Sequence, residues 1–268
     1  MRSEKNSSIL KALTALTFIL MVGVNGLANA LPINGLQTGQ VSDSYPNLFA
    51  PAGVTFAIWG LIYVLLAFYT LYQLGLFHEK GAAAPDYNED RIRVIFTLSS
   101  LCNTAWIFSW HYRLIPLSLI LITGILICLI QINLALTDST LSGRERFFVR
   151  LPFSVYFGWI TVAAIANATT LLVGLGWKGF GLSESTWTVV ILLTGMLIGV
   201  TAMFRNRNAA YGLVLIWAYG GIWLKHTSDS GFSGQYNTVI YTVLFCIAVY
   251  AASEIYLFLK QSKKSSRA

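Results

Sequence analysis

The sequence predicts an all-α fold, a polytopic membrane helical bundle of about eight transmembrane helices. Hydrophobic residues make up 56% of the 268-residue chain and charged residues only 11%. An ordinary soluble domain has about 45–50% apolar and about 25% charged residues. Apolar runs of about 20 residues recur along the chain, which is the length needed to cross about 30 Å of hydrocarbon. The chain is therefore expected to reside in a lipid bilayer.

Polar interruptions divide the chain into its spans. The first apolar run follows Arg2 and Lys5 and ends before segment 31–50, whose composition suits an ordered cap better than a linker. The second run begins at Pro51 and ends before the polar loop 77–91, the expected boundary for flexibility. Shorter loops with polar or basic residues separate the later runs. The predicted spans are 9–30, 51–76, 92–111, 114–137, 147–174, 186–204, 209–225 and 236–260.

The distribution of basic residues predicts the orientation. Cytoplasmic ends retain Lys and Arg during insertion, and eight spans put both termini on one side. Fifteen of the 18 basic residues then share the side of the termini, and the other side has only Arg113, Lys178 and Lys225. Both termini are therefore predicted to be cytoplasmic, with the plasma (cytoplasmic) membrane as the expected location. The net charge of +7 is therefore attributed to membrane topology, and no nucleic-acid partner is predicted.

The N-terminus offers an alternative to a retained first span. Residues Ala28-Asn29-Ala30 resemble the small-residue site of a signal peptidase. The apolar stretch before them is long for a signal peptide, so we predict that residues 1–30 are retained, with cleavage as the alternative.

Chemistry-bearing residues are scarce inside the predicted spans. Cys102, Cys128 and Cys246 all fall within spans, which excludes a disulfide framework and predicts small buried hydrophobes. No His, Cys, Asp and Glu residues have metal-ligand spacing, so neither a metal nor a cofactor is predicted. No P-loop, GxSxG elbow or pair of carboxylates in one span is present, which disfavours an enzyme.

Two polar features have a structural and a functional interpretation. Glu254 is the only acid well inside a span, about 9 Å from the cytoplasmic end at about 1.5 Å per residue. It either pairs near the interface or serves as a proton site. The second feature is a group of polar residues in the outer loops. They are either ordinary interfacial residues or an acid/base cluster: Asp43, His111, Arg113, His226 and Asp229.

The strongest positive signal is aromatic spacing on three predicted helices. Phe, Trp and Tyr make up 14% of the chain. Several of them recur at helical spacing together with small or amide residues, so that each set occupies one helix face. The three sets are Phe56, Trp59 and Tyr63 on span two; Asn103, Trp106 and Trp110 on span three; and Tyr156, Trp159, Ala163 and Asn167 on span five.

Depth along the helices brings these faces together. Trp59, Asn103 and Asn167 each lie about 10–12 Å below the outer end of their span at about 1.5 Å per residue. Asn side chains in hydrocarbon need hydrogen-bond partners. An outer-half cavity with aromatic walls and a few polar groups is therefore predicted. The alternative is plain helix packing, with Asn joining helices and Trp supplying bulk.

At these same residues the sequence resembles the TspO/MBR family, the tryptophan-rich sensory or translocator proteins with five membrane helices. Span two reads PAGVTFAIWGLIY, similar to the family's Pro-Pro-x-Trp-x-Phe and Trp-x-x-x-Tyr segment. CNTAW in span three resembles Leu-Asn-x-x-Trp, and YFGWITVAAIAN in span five resembles Pro-Tyr-Leu-Ala-Trp followed by Ala and Leu-Asn. The chain departs from the pattern at Ala52, Val54 and Val155, and its Trp59 comes one position early.

The resemblance covers residues 1–174, the predicted TspO-like five-helix unit. Residues 175–268 form a three-helix extension with a basic cytoplasmic tail. Its span six contains Gly195 and Gly199, a GxxxG pattern that predicts either packing within the chain or a homodimer.

The resemblance implies a cavity that binds a flat hydrophobic ligand such as a porphyrin, a sterol or a pigment. Its ligand-binding residues are expected to be the matched ones and their neighbours on the three faces: Phe56, Trp59, Tyr63, Asn103, Trp106, Tyr156, Trp159, Ala163 and Asn167. Two other classes remain open. One is a transporter of a small hydrophobic solute with Glu254 as its proton site, and the other is a membrane enzyme that uses the outer polar cluster.

Overall fold

A computed structural model describes residues 2–31, 33–77 and 85–265, with side chains for 7–31, 33–77 and 85–260. Residues 78–84 of loop 77–91, His78 among them, lie outside the described residues. All regular secondary structure in the described residues is helical, which confirms the predicted all-α bundle. The helices are α1 (Arg2–Ala30), α2 (Thr38–Asp43), α3 (Ile58–Gln73), α4 (Glu89–His111), α5 (Ile115–Thr137), α6 (Gly143–Glu145), α7 (Leu151–Gly174), α8 (Glu184–Asn206), α9 (Ala209–Thr227) and α10 (Asn237–Ser265).

Short 3₁₀ and π-helical turns adjoin three of these helices. A 3₁₀ turn, Gly53–Ala57, leads into α3, and a π-helical turn, Arg146–Arg150, joins α6 to α7. Two further 3₁₀ turns, Ile33–Gly35 and Gly179–Gly181, lie in the loops that follow α1 and α7.

Seven of the helical segments in the described chain are long and apolar enough to cross a membrane. The eighth predicted span, 209–225, forms helix α9, which is not among those seven. It nevertheless runs the depth of the bundle, because its N-cap Asn208 donates to Ser154 near the start of α7 and Lys225 in its last turn pairs with Asp43.

The bundle has two distinguishable ends. We call residues 31–50 the cap, and the end of the bundle where they lie the cap end. Arg113 in the α4–α5 turn, Lys178 after α7 and Lys225 at the end of α9 all lie at this end. The structure thus gathers at one end the three basic residues that the charge distribution set apart.

Helices α4 and α7 are central to the first part of the bundle. Helix α4 packs against α1 and α5, and α7 packs against α5, α3 and α9. Helices α8 and α10 pack mainly on α9 and on each other. The last three helices therefore join the rest of the bundle chiefly through the α7–α9 contact.

The GxxxG pattern of α8 is used within the chain. Gly195 lies against the Tyr219 hydroxyl, and Gly199 lies against Leu215 and Tyr250. The Tyr250 hydroxyl also donates to the Gly195 carbonyl oxygen at 3.2 Å. Small residues here let α9 and α10 approach α8 closely. Packing within the chain, the first of the two interpretations of this pattern, is what the structure shows for these glycines.

One close approach depends on a single glycine of α9. A Cβ added at Gly221 would overlap the Thr55 side chain, whereas a Cβ at neighbouring Gly220 would meet no atom within 4 Å. The Gly221 carbonyl oxygen accepts a hydrogen bond from the Ala52 amide at 2.9 Å. Gly221 therefore lets the turn before α3 pack directly on α9.

We expect Gly221→Ala to destabilise the protein by about 1–3 kcal/mol, the usual cost of overpacking a well-filled contact. Gly220→Ala is the matched control and should be neutral or stabilising by up to about 1 kcal/mol, because Ala is the better helix former. Thermal unfolding in detergent measures both. Equal melting temperatures for the two variants would contradict the close approach.

Candidate functional site

An aromatic cluster forms where the three predicted helix faces meet. The ring of Trp59 lies 5.6 Å from Tyr63, 5.9 Å from Trp106 and 6.1 Å from both Tyr156 and Trp159, measured between centroids. Trp59 stacks on Tyr63 and meets Trp159 edge to face, arrangements that stabilise aromatic pairs. Helices α3, α4 and α7 therefore contribute to one cluster.

A small cavity lies between this cluster and the cap. It holds about 40 Å³, against roughly 300–1,000 Å³ for a typical small-molecule site. Aromatic rings fill most of the space, so a larger occupant has to displace some of them. The walls, called here the aromatic cavity, are Thr38, Ser42, Pro51, Phe56, Trp59, Trp106, Trp110, Trp159, Val162, Ala163, Ala166, Asn167 and Thr170.

The aromatic cavity has hydrogen-bond donors without partners. The indole N–H groups of Trp106 and Trp159 and the amide nitrogen of Asn167 are buried, and none has a partner in the described part of the chain. These three residues are only 5%, 3% and 2% exposed. The Asn167 amide oxygen accepts from the Ser118 hydroxyl at 3.0 Å, so its nitrogen is the free end. The described walls contain no charged side chain.

Asn103 has a different role from Asn167. Its amide oxygen accepts from the Asn25 side chain at 2.8 Å, and its amide nitrogen donates to the Tyr156 hydroxyl, also at 2.8 Å. These bonds tie α1, α4 and α7 together beneath the aromatic cavity. Asn25 is not among the residues predicted from the sequence, although it shows the same signal, an amide side chain inside a predicted span.

The nine predicted site residues therefore divide into two groups. Phe56, Trp59, Trp106, Trp159, Ala163 and Asn167 line the aromatic cavity. The remaining three support it from below: Tyr63 stacks on Trp59, and Asn103 and Tyr156 share a hydrogen bond. The similar depths of Asn103 and Asn167 along their helices predict one layer. Their side chains nevertheless have different hydrogen-bond partners.

The outer polar residues hold the cap in place. His111 donates from Nδ1 to the Ile33 carbonyl oxygen, and its Nε2 shares a hydrogen bond with the Thr38 hydroxyl at 3.2 Å. His226 donates to the Leu48 carbonyl oxygen at 2.8 Å. Each histidine is buried against a different part of the cap, so they do not form one acid/base site.

Two tryptophans donate hydrogen bonds to the cap and to the turn before α3. The Trp110 indole donates to the Thr38 carbonyl oxygen at 3.1 Å, and the Trp217 indole of α9 donates to the Thr55 carbonyl oxygen at 3.0 Å. The ion pair between Lys225 and Asp43, 3.0 Å long, adds a contact at the surface. The roof of the aromatic cavity is thus anchored to both α4 and α9.

Glu254 lies away from the aromatic cavity. Its carboxylate packs beside Gly212 of α9, and its buried Oε1 has no partner among the described residues. Within the described chain, no group of three or more His, Cys, Asp or Glu side chains could hold a metal ion.

The hydrogen-bonded chain of Asn25, Asn103 and Tyr156 can be tested by a double-mutant cycle. Each intramembrane hydrogen bond contributes about 0.6 kcal/mol. Asn103→Ala and Asn25→Ala should therefore each cost about 1 kcal/mol, because each side chain makes two hydrogen bonds, Asn25 donating also to the Met21 carbonyl oxygen. Because Asn25 and Asn103 share one hydrogen bond, the double variant should lose less stability than the two single variants added together. Melting in detergent measures all three. Strict additivity would contradict the shared bond.

Comparison with known proteins identifies the family. A family model described as "TSPO-like protein" matches residues 11–256. No similar curated protein and no similar solved structure was found. The matched range continues past residue 174, where the sequence resemblance ended, and includes α8, α9 and most of α10. Because the match extends over most of the chain, this protein belongs to the family of TSPO-like proteins.

Proposed function

We propose that this protein is a membrane binding or sensory protein that holds a flat hydrophobic ligand, of the porphyrin, sterol or pigment type, in the aromatic cavity. The observation that carries the proposal is the set of three buried, unpartnered N–H donors in an uncharged aromatic wall. A buried donor without a partner costs free energy that a ligand acceptor would recover. The proposal includes a plasma-membrane location with both termini cytoplasmic.

The residues of the cavity walls support a ligand with a flat apolar body and a polar edge. Trp59 and Trp106 offer stacking surfaces to a flat apolar body. Trp106, Trp159 and Asn167 offer donors, so the ligand needs a carbonyl, hydroxyl or carboxylate oxygen at its edge. The present volume of about 40 Å³ requires rings to move on binding. Phe56 and Trp59 are the half-buried wall residues best placed to do so.

The two asparagines provide a matched test of this proposal. Asn167→Ala removes a free donor from the wall and should weaken binding about fivefold, equivalent to about 1 kcal/mol for one hydrogen bond. Its loss of stability should be about half that of Asn103→Ala, because Asn167 gives up one hydrogen bond, from Ser118, and Asn103 gives up two. Trp106→Phe should weaken binding similarly while keeping a ring. Asn103→Ala should lower the melting temperature and leave affinity unchanged. A porphyrin, a sterol and a carotenoid serve as probes, followed by the change in tryptophan fluorescence.

Two outcomes would overturn the proposal. One is the absence of saturable binding by any of the three probes. The other is a loss of stability with intact affinity in Asn103→Ala, Asn167→Ala and Trp106→Phe alike, which would assign these residues to helix packing alone.

A transporter is the second candidate function, because Glu254 carries a buried carboxylate oxygen without a partner in the described chain. A carboxyl group inside a membrane span is a common proton site. On this alternative, solute flux driven by a pH gradient in proteoliposomes should vanish in Glu254→Gln, because Gln cannot titrate. Flux that is absent, or equal in the two proteins, would reject it.

A further inference from the structure

A second cavity lies at the cap end, outside the aromatic cavity. It holds about 380 Å³, within the roughly 300–1,000 Å³ typical of small-molecule sites. The end of α7, the loop that follows it, the start of α8 and part of the cap enclose it. We call it the cap-end cavity, and its walls include Leu172, Trp177, Lys178, Glu184, Trp187 and Ile191.

The loop between α7 and α8 is shaped to form one wall of this cavity. Gly179, Phe180 and Gly181 have φ values of 60°, 52° and 82°, the left-handed region in which a residue such as Phe is strained. A Cβ at Gly179 would lie 2.6 Å from the Trp187 ring, and the Trp187 indole donates to the Gly179 carbonyl oxygen. Trp177 lies 4.8 Å from Trp187 between ring centroids. The aromatic wall is therefore preformed.

Two opposite charges line the same cavity without pairing. Within the described residues, neither the Lys178 ammonium nor the Glu184 carboxylate forms an ion pair or a side-chain hydrogen bond. Such an arrangement complements a ligand that carries both charges. A phosphate would bind Lys178, and an ammonium would bind Glu184 and the faces of the two tryptophans by cation–π attraction.

The surroundings of the cap-end cavity point to the bilayer as the source of this ligand. The loop beside it exposes the apolar side chains of Leu175, Phe180 and Leu182, which are 70%, 85% and 51% exposed. Both flanking helices, α7 and α8, are long and apolar enough to span a membrane. Tryptophan is enriched at the membrane–water interface, where lipid headgroups lie.

We propose that the cap-end cavity binds the headgroup of a zwitterionic phospholipid, such as phosphatidylcholine or phosphatidylethanolamine. Lys178 holds the phosphate, Glu184 with Trp177 and Trp187 holds the ammonium, and apolar side chains such as Leu172 and Ile191 contact the start of the acyl chains. This inference is independent of the ligand proposed for the aromatic cavity.

The test uses the full chain in mixed micelles of a neutral detergent. Phosphatidylcholine with brominated acyl chains quenches nearby tryptophans, and unbrominated phosphatidylcholine, phosphatidylethanolamine and phosphatidylglycerol compete with it. We expect the two zwitterionic lipids to compete at several-fold lower concentration than phosphatidylglycerol. Lys178→Gln should raise the half-maximal concentration of phosphatidylcholine about fivefold, the effect of one basic residue near a lipid phosphate. Glu184→Gln should abolish the preference over phosphatidylglycerol.

Charge-matched controls come from the same end of the bundle. Arg113→Gln and Asp229→Asn remove exposed charges outside the cap-end cavity and should leave the competition unchanged. Unaltered melting temperatures show that the variants fold. Equal competition by all three lipids, a preference for phosphatidylglycerol, or effects of Lys178→Gln and Glu184→Gln no larger than those of the controls would each overturn the proposal.

Discussion

The hydrogen-bonded chain from Asn25 through Asn103 to Tyr156 is the interaction on which the rest of the site depends. Polar groups in hydrocarbon must find partners inside the protein, and these three find them in one another across α1, α4 and α7. The bonds hold the Tyr156 ring 6.1 Å from Trp59. The floor of the aromatic cavity is therefore fixed by directional bonds, while its walls are fixed by packing.

The roof of the aromatic cavity depends on the later part of the chain. Helix α9 bonds to the cap and to the turn before α3 through Gly221, Trp217 and His226, and Lys225 adds an ion pair. Helices α8 and α10 support α9 from the other side. The helices after residue 174 thus contribute to the same structure as the helices of residues 1–174, in keeping with a family match that continues to residue 256.

The two cavities differ in a way that follows from their depth. The aromatic cavity lies among helices α3, α4 and α7, where an isolated charge would be costly, and its polarity is limited to neutral donors and hydroxyls. The cap-end cavity lies where α7 ends and α8 begins, and its walls include the charged residues Lys178 and Glu184. The two proposals therefore differ in the chemistry they require, an apolar body in the aromatic cavity and a dipolar headgroup in the cap-end cavity.

The sequence by itself determined the fold class and most of the helices, because a membrane admits only long apolar segments with satisfied backbones. Helical periodicity also determined which side chains of α3, α4 and α7 share a face. Only the tertiary structure decided that Asn103 bonds to Asn25 and Tyr156 while Asn167 keeps a free donor. It also decided the burial of His111 and His226 against the cap. Periodicity and depth locate a side chain along its own helix, whereas its partner depends on rotamers and interhelical distances between residues far apart in the chain.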